Sequence, residues 1–128
     1  MKAIDQQLFD ALYLLADGEG FDVYDYLPLD DVPYPFVVIG EIQVLPRQVK
    51  HKTLGRLVVM VDIWAHRDNR SEIAEISERL MEIFSSWIIL ESRRVKLHIS
   101  ASNKRVLSDT TTDLPLWHGI LELEFRIY

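Results

Sequence analysis

The sequence predicts an α+β fold, in which a mainly antiparallel sheet carries two helices packed on one face. Three observations lead to this prediction. Residues 55–64 are dense in β-branched and apolar types, as in a buried strand. Residues 71–88 then place apolar side chains at spacings of three and four, as in an amphipathic helix. Strand-like stretches on both sides of this pair, together with a first helix, give the predicted order α-β-β-α-β-β.

Both helices are predicted from apolar stripes. The first covers residues 3–16, and Gly18 is expected to stop it. The second has six residues on its apolar face: Ile73, Ile76, Leu80, Ile83, Phe84 and Trp87. Ser71 is expected to cap the N-terminus of this second helix. We expect Trp64 and Trp87 to belong to the core.

Three further strands are predicted from local patterns. Pro35 precedes a strand over residues 36–45, because its ring disfavours a helix through the residue before it. Apolar and polar residues alternate over 95–102 and again over 117–127, which indicates two strands with one exposed face each. The stretch between them is rich in turn residues, although Val106 and Leu107 can extend the pairing. Earlier in the chain, Val23 and Tyr24 can form a short extended piece.

Charge is distributed unevenly along the chain. The net charge of −6 argues against a general nucleic-acid binder. Residues 1–45 hold nine acids and a single lysine, whereas residues 46–56 hold four cations and no acid. The connection 46–54 is long for a tight hairpin, so it is either a β-arm or a mobile loop. Loops on a rigid scaffold often make contacts.

We therefore predict a subunit or partner interface that uses this basic connection and the loop after residue 108. The candidate residues are Arg47, Lys50, His51, Lys52, Arg56, Asp109, Thr111 and Asp113. The threonines between Asp109 and Asp113 are expected to form local side-chain hydrogen bonds. A complementary acidic surface is offered by Asp17, Glu19, Asp22, Asp25, Asp30 and Asp31.

The residues predict no catalytic, metal or cofactor site. The sequence has no cysteine, which excludes disulfides and thiolate chemistry. None of the four histidines has a metal-ligand spacing to another histidine or a carboxylate pair. Asp62 and Glu41 lie inside strands, where we expect them to point to the outer face or to pair with arginine. No apolar run approaches the roughly 20 residues of a membrane span, so no membrane partner is expected.

Three stretches of the sequence carry a family resemblance. The first stretch consists of residues 24–28 (YDYLP) and 33–41 (PYPFVVIGE). The second consists of residues 61–65 (VDIWA) and 70–73 (RSEI). The third runs from 106–110 (VLSDT) through Leu116 to 118–121 (HGIL) and 125–127 (FRI). In this order they resemble the tail-terminator proteins, also called tail-completion or head-to-tail joining proteins, of phages with long non-contractile tails. The chain is most similar to those of phages and prophages of Gram-positive bacteria.

The resemblance implies a structural role and an α+β fold with two helices on a sheet. Such proteins cap the tail tube as a ring, usually of six copies, and form the surface that docks on the head connector. The implied partners are other copies of the chain, the tail-tube protein and the connector, while DNA passes through without specific binding. The implied location is the virion, at the tail end facing the head, after assembly in the host cytoplasm. The resemblance implies one domain over residues 1–128, with no catalytic residues and no cofactor.

Two other classes of function stay open from the residues alone. One is a ferredoxin-like enzyme or small-ligand-binding domain, which a pocket lined by Glu41, Asp62 and His98 would favour. The other is a nucleic-acid module that uses the basic connection, although the acid excess and the lack of aromatics interleaved with the cations weigh against it.

Overall fold

The computed structural model describes residues 2–50, 52–111 and 115–128. In chain order the elements are α1 (Ile4–Gly18), β1 (Val23–Tyr24), β2 (Phe36–Val49), β3 (Lys52–His66), α2 (Arg70–Phe84), β4 (Ile88–Ile89), β5 (Arg94–Leu97), a short 3-10 helix (Ile99–Ala101), β6 (Asn103–Asp109) and β7 (Leu116–Ile127). The predicted α+β class is confirmed. The predicted order α-β-β-α-β-β is wrong, since three strands separate the helices and four follow them in the described residues. The short extended piece expected at Val23 and Tyr24 is present as β1, whereas β4 is too short to show periodicity.

The seven strands form one sheet around β3 and β7. Their order is β1-β2-β3-β7-β5-β4, and β6 also pairs with β7. Strand β5 lies beside residues 125–127 of β7, and β6 lies beside residues 116–122. Only the β1–β2 pair is parallel among the described pairings. The expected extension of the pairing at Val106 and Leu107 is thus present as the whole of β6.

The core lies between the sheet and the helices. Odd-numbered residues of β3, from Leu57 to Ala65, are fully buried, whereas the even-numbered ones are only partly buried. This alternation gives β3 a helix-facing side and an opposite side, called here the outer face. Helix α1 contacts β1, β2 and α2, and α2 contacts β3 and β7 as well as α1. The helical residues of the buried cluster are Leu8, Leu12, Ala16, Ile73, Ile76, Leu80 and Phe84.

Helix α2 approaches β7 closely at one glycine. A Cβ added to Gly119 would lie 2.6 Å from the Cγ2 atom of Ile73. Real side chains do not pack at this distance, so the lack of a side chain at residue 119 allows α2 to lie directly on the strand. Neither described helix has the length and apolar character that crossing a membrane requires.

Three expectations about α2 and the tryptophans are wrong. The helix ends at Phe84, so Trp87 lies beyond it and is 43% exposed. The apolar spacing simply continues in the chain after the helix has stopped. Asn69, not Ser71, occupies the N-cap position, and no side-chain hydrogen bond caps this end. Trp64 lies on the outer face, partly exposed, rather than in the core.

The connection 46–54 is a β-arm, which is one of the two predicted alternatives. Pairing of β2 with β3 continues through Arg47 and Leu54 to Val49 and Lys52. Pairing of β3 with β7 begins only at Gly55 and Ile127. The hairpin therefore extends beyond the end of β7, as a two-stranded projection from the sheet.

Candidate interaction surfaces

The basic arm, defined as residues 46–54, carries part of the predicted interface. Arg47 is exposed in β2 and Lys50 is exposed at the turn of the hairpin. Lys52 begins β3, but its side chain and the whole of His51 lie outside the described part of the chain. The cations that the structure describes are thus on the projecting hairpin, as a contact arm requires.

The base of the arm depends on Gly55. This residue has a φ of +137°, a region that side chains rarely adopt. An added Cβ would overlap the carbonyl oxygen of Leu45 and lie 2.9 Å from the amide nitrogen of Arg47. Glycine at this position therefore allows the paired strands β2 and β3 to approach each other closely where the arm leaves the sheet.

Arg56 lies in a row of three cations across the outer face. It pairs with Arg126 of β7, which in turn pairs with Lys96 of β5. Side chains of paired residues share a face, and neighbouring strands are about 4.8 Å apart. The carboxylate of Glu124 lies 3.5 Å from Arg56 and 3.1 Å from Arg126. One largely buried carboxylate therefore holds two arginines in place, while the row keeps a positive excess.

An open groove of about 450 Å³ lies at the base of the arm. We call it the arm-base groove. Its lining combines the apolar residues Leu45, Pro46, Leu54, Ile127 and Tyr128 with the arginines Arg47, Arg56 and Arg126. This surface can accept an apolar side chain that has acidic neighbours, because contact with both is offered in one place.

The cation row ends at an exposed aromatic cluster. The guanidinium of Arg94 lies 4.4 Å from the ring centre of Trp87, and the ammonium of Lys96 lies 5.1 Å from it. Tyr128 packs edge-on against the same ring, and its hydroxyl lies 2.8 Å from Nε2 of His98. Sequence reasoning missed this cluster because it placed Trp87 on the helix.

Asp109 and Thr111 lie at the opposite end of the sheet from the arm. Asp109 pairs with Leu116, which also pairs with His66 at the far end of β3. The eleven residue steps from Gly55 to His66 correspond to about 36 Å of strand. The residues of the predicted interface therefore form two separate groups, one at each end of the sheet. Asp113 lies outside the described residues.

Thr111 fixes the Asp109 carboxylate through two local hydrogen bonds. Its hydroxyl donates to Oδ1 at 2.6 Å, and its backbone N–H donates to the same oxygen at 2.8 Å. These bonds hold the pKa of Asp109 below its usual value, the hydroxyl having the larger effect and the backbone N–H the next. The expected local bonding of this threonine segment is confirmed for Thr111.

Residues 25–31, called here the acidic ridge, lie at the same end as Asp109. The ridge exposes large apolar side chains at Tyr26, Leu27 and Leu29, and Leu29 is 97% exposed. Asp30 and Asp31 follow directly. Leu29, Asp30, Asp109 and Thr111 line one shallow cavity of about 330 Å³. Exposed apolar side chains beside carboxylates are a combination that is typical of protein contact surfaces.

A histidine–aspartate pair lies on the outer face between the two ends. Nε2 of His118 is 2.7 Å from Oδ1 of Asp62, and the Trp64 ring stacks on the imidazole with centroids 3.8 Å apart. Sequence reasoning did not find this pair, because it depends on the register that places Trp64 opposite His118. In residues 2–50, 52–111 and 115–128, no group of three or more His, Asp or Glu side chains could hold a metal ion.

The residues that would have favoured an enzyme do not converge. The Asp62 side chain is hydrogen-bonded to His118, and the His98 side chain is hydrogen-bonded to Tyr128. Glu41 is exposed.

Comparison with solved structures shows that the fold occurs elsewhere. A chain of the virion of a native gene transfer agent particle superposes with a TM-score of 0.76 and 15% identity, covering 99% of this chain and 98% of that chain. A second solved structure has a TM-score of 0.61 and 16% identity, covering 98% of this chain and 97% of that one. Identities this low establish a shared fold and nothing more.

The sequence comparisons identify the family. No curated protein matches the chain. The family model of tail completion protein gp17, in contrast, matches residues 7–128. This match confirms the resemblance carried by the three stretches between residues 24 and 127. The chain therefore belongs to the tail completion protein gp17 family of structural tail proteins.

Proposed function

We propose that this chain caps the tail tube as a closed ring of six head-to-tail copies and forms the docking surface for the head connector. Membership of the tail completion family supports a role at a tail. The shared fold with a chain of a gene transfer agent virion supports a place in a particle. The proposed location is the end of the tail that faces the head, after assembly in the host cytoplasm.

One observation carries the proposal of a ring. The arm and the cation row lie at one end of the sheet, and the acidic ridge and Asp109 lie about 36 Å away at the other. Two arm ends in contact would repel each other, and so would two ridge ends. Opposite ends attract, so the favoured contact is heterologous. A heterologous contact gives a closed ring when its rotation closes.

The ring leaves the remaining surfaces for partners. We propose that the tail-tube protein binds one side of the ring and the head connector the other, and that the basic arm reaches a neighbouring subunit or the tube. DNA passes through the centre without specific binding. Like-charged clusters mainly steer association and fix register, which suits an arm that finds its partner during assembly.

Electron microscopy of tails that carry the protein tests the proposal. We expect averaged density at the head-facing end to show a single ring with sixfold symmetry, into which six copies of this fold can be placed. Tails lacking the protein are the control, and they should lack this density. Density for one copy, or for two copies related by a twofold axis, would contradict the ring. A monomer in free solution would not, because the tube end can act as the template.

A further inference from the structure

We propose that the arm-base groove of one subunit receives the acidic ridge of a second copy, with Leu29 inserted between apolar side chains and Asp30 and Asp31 facing arginines. The inference rests on the proposed ring, and it specifies which surfaces form the contact between its subunits.

The ridge has the form of an insert. Leu29 is 97% exposed, and Tyr26 and Leu27 are also largely exposed within the preceding three residues. A single exposed leucine needs no explanation, but a cluster of large apolar side chains beside carboxylates is typical of a protein contact. The two aspartates that follow Leu29 determine the sign of the charge that a partner must offer.

The groove has the matching composition. Its volume of about 450 Å³ exceeds that of one side chain, and its lining includes Leu45, Leu54 and Tyr128. Three arginines share this lining, and the carboxylate of Glu124 contacts two of them. The groove thus keeps a positive excess next to apolar surface, which is the complement of Leu29 followed by two carboxylates.

The two surfaces cannot meet within one chain. The groove lies at the arm end of β3, and the ridge lies beyond the other end, about 36 Å of strand away. A second copy is the partner that carries both the required charge and the required apolar insert. Repetition of the contact uses each ridge and each groove once, as a head-to-tail ring does.

Cysteine cross-linking tests this contact directly, because the natural chain has no cysteine. The double variant Leu29→Cys with Leu54→Cys is assembled into tails and treated with an oxidant or with a short bismaleimide. A disulfide needs Cα atoms within about 7 Å, so the two sites can join only between subunits. Non-reducing gels should show a ladder of multimers, and each single variant should give no product beyond a dimer.

The matched control places the cysteine on another exposed leucine. Leu14 is 70% exposed on α1, so Leu14→Cys with Leu54→Cys tests random collision at similar accessibility. If the contact buries a leucine, we expect the Leu29→Cys double variant to give at least about tenfold more cross-linked multimer than the Leu14→Cys double variant. Equal ladders, or none with either reagent, would overturn the proposed contact.

A second readout covers the case in which the double variant does not assemble. Leu29→Lys places a cation against three arginines, and it should reduce joined particles at least about tenfold relative to Leu14→Lys. Equal yields from the two lysine variants would also overturn the contact. If microscopy shows the ring but cross-linking fails, the contact is wrong and the ring stands. If the ring itself is absent, the proposed function fails.

Discussion

Nε2 of His118 lies 2.7 Å from Oδ1 of Asp62, and this contact joins β7 to β3 on the outer face of the sheet. The two residues are 56 positions apart in the sequence. Trp64 covers the imidazole by stacking, so the histidine contacts a carboxylate and an aromatic ring at once. This is the arrangement of a structural hydrogen bond that fixes the ring of a partly buried histidine.

Replacing this histidine should affect stability rather than function. His118→Gln is expected to lower the free energy of unfolding by about 1 kcal/mol, because the hydrogen bond to Asp62 and the stacking on Trp64 are weakened. His66→Gln is the control, since His66 is at the end of β3 and more exposed, and it should change stability by less than about 0.5 kcal/mol. Thermal unfolding and particle yield check both. Loss of particles at an unchanged melting temperature would revive the enzyme hypothesis.

Gly119→Ala should destabilise the packing of α2 on β7. The new methyl group would lie 2.6 Å from Cγ2 of Ile73, and overpacking of this kind costs about 1–3 kcal/mol. The double variant with Ile73→Leu removes the branched methyl and should recover part of the loss, as measured by a denaturant double-mutant cycle. Gly18→Ala is the control, because nothing lies within 4 Å of its added Cβ. Simple additivity of the two changes would contradict this account.

Charge reversal on the basic arm should separate folding from joining. Changing Arg47, Lys50 and Lys52 together to Glu is expected to leave the monomer folded but to produce unjoined or over-long tails. A single reversal should have little effect, because an exposed ion pair contributes about 0.2–1 kcal/mol. Higher salt should deepen the weak defect of such single variants.

The control for the arm reverses two exposed cations elsewhere, Arg67 and Arg105, to Glu. Circular dichroism checks folding, and electron microscopy counts joined particles. Normal infectious particles from the triple arm variant would show that the arm is only a solvated hairpin.

The Asp109 carboxyl should titrate at lower pH than an ordinary aspartate. Because its folded pKa is lowered, its contribution to stability is present above the usual value of 3.8 and is lost as the pH falls through the lowered pKa. Thr111→Val removes the hydroxyl donor and keeps the backbone donor, so the pKa should move part of the way back. Thr110→Val is the control, since both Thr111 bonds stay in place. NMR titration of the carboxyl carbon measures the shift, and identical values in all three proteins would refute this assignment.

A dense apolar run made the central strand predictable from the sequence, and helical spacing did the same for α2. The expectation of a strand buried on both faces is wrong for β3, because the helices cover only one face and residues 57–65 alternate in burial. Ile73, Ile76 and Leu80 hold α2 on the sheet as their spacing indicated. The two-residue strand β4 carries no such signal, and it exists because β5 lies beside it. The sequence prediction places Trp87 on the helix because its spacing continues the apolar pattern. In the structure, local hydrogen bonding ends the helix at Phe84.

The candidate site was predictable in composition but not in arrangement. The basic connection and the acidic segment are visible as runs of charge. Their positions at opposite ends of the sheet follow from the pairing of β3 with β7, which juxtaposes Gly55 with Ile127 and His66 with Leu116. Register of this kind joins residues 50 to 72 positions apart, and local patterns do not contain it. For the same reason, the pairing of Arg56 and Arg126 with Glu124 was not foreseen.

The place of β7 in the sheet also governs when the protein can fold. This strand follows every other described element in sequence, yet it lies between β3 on one side and β5 and β6 on the other. During synthesis, the β2–β3 hairpin can form early and β4 can pair with β5, but β5 and β6 have no link to β3 until β7 emerges. Long-range pairing of this type slows folding. A nascent chain that has not yet released β7 from the ribosome therefore has an incomplete arm-base groove, since Arg126 lies in β7 and Tyr128 follows it directly.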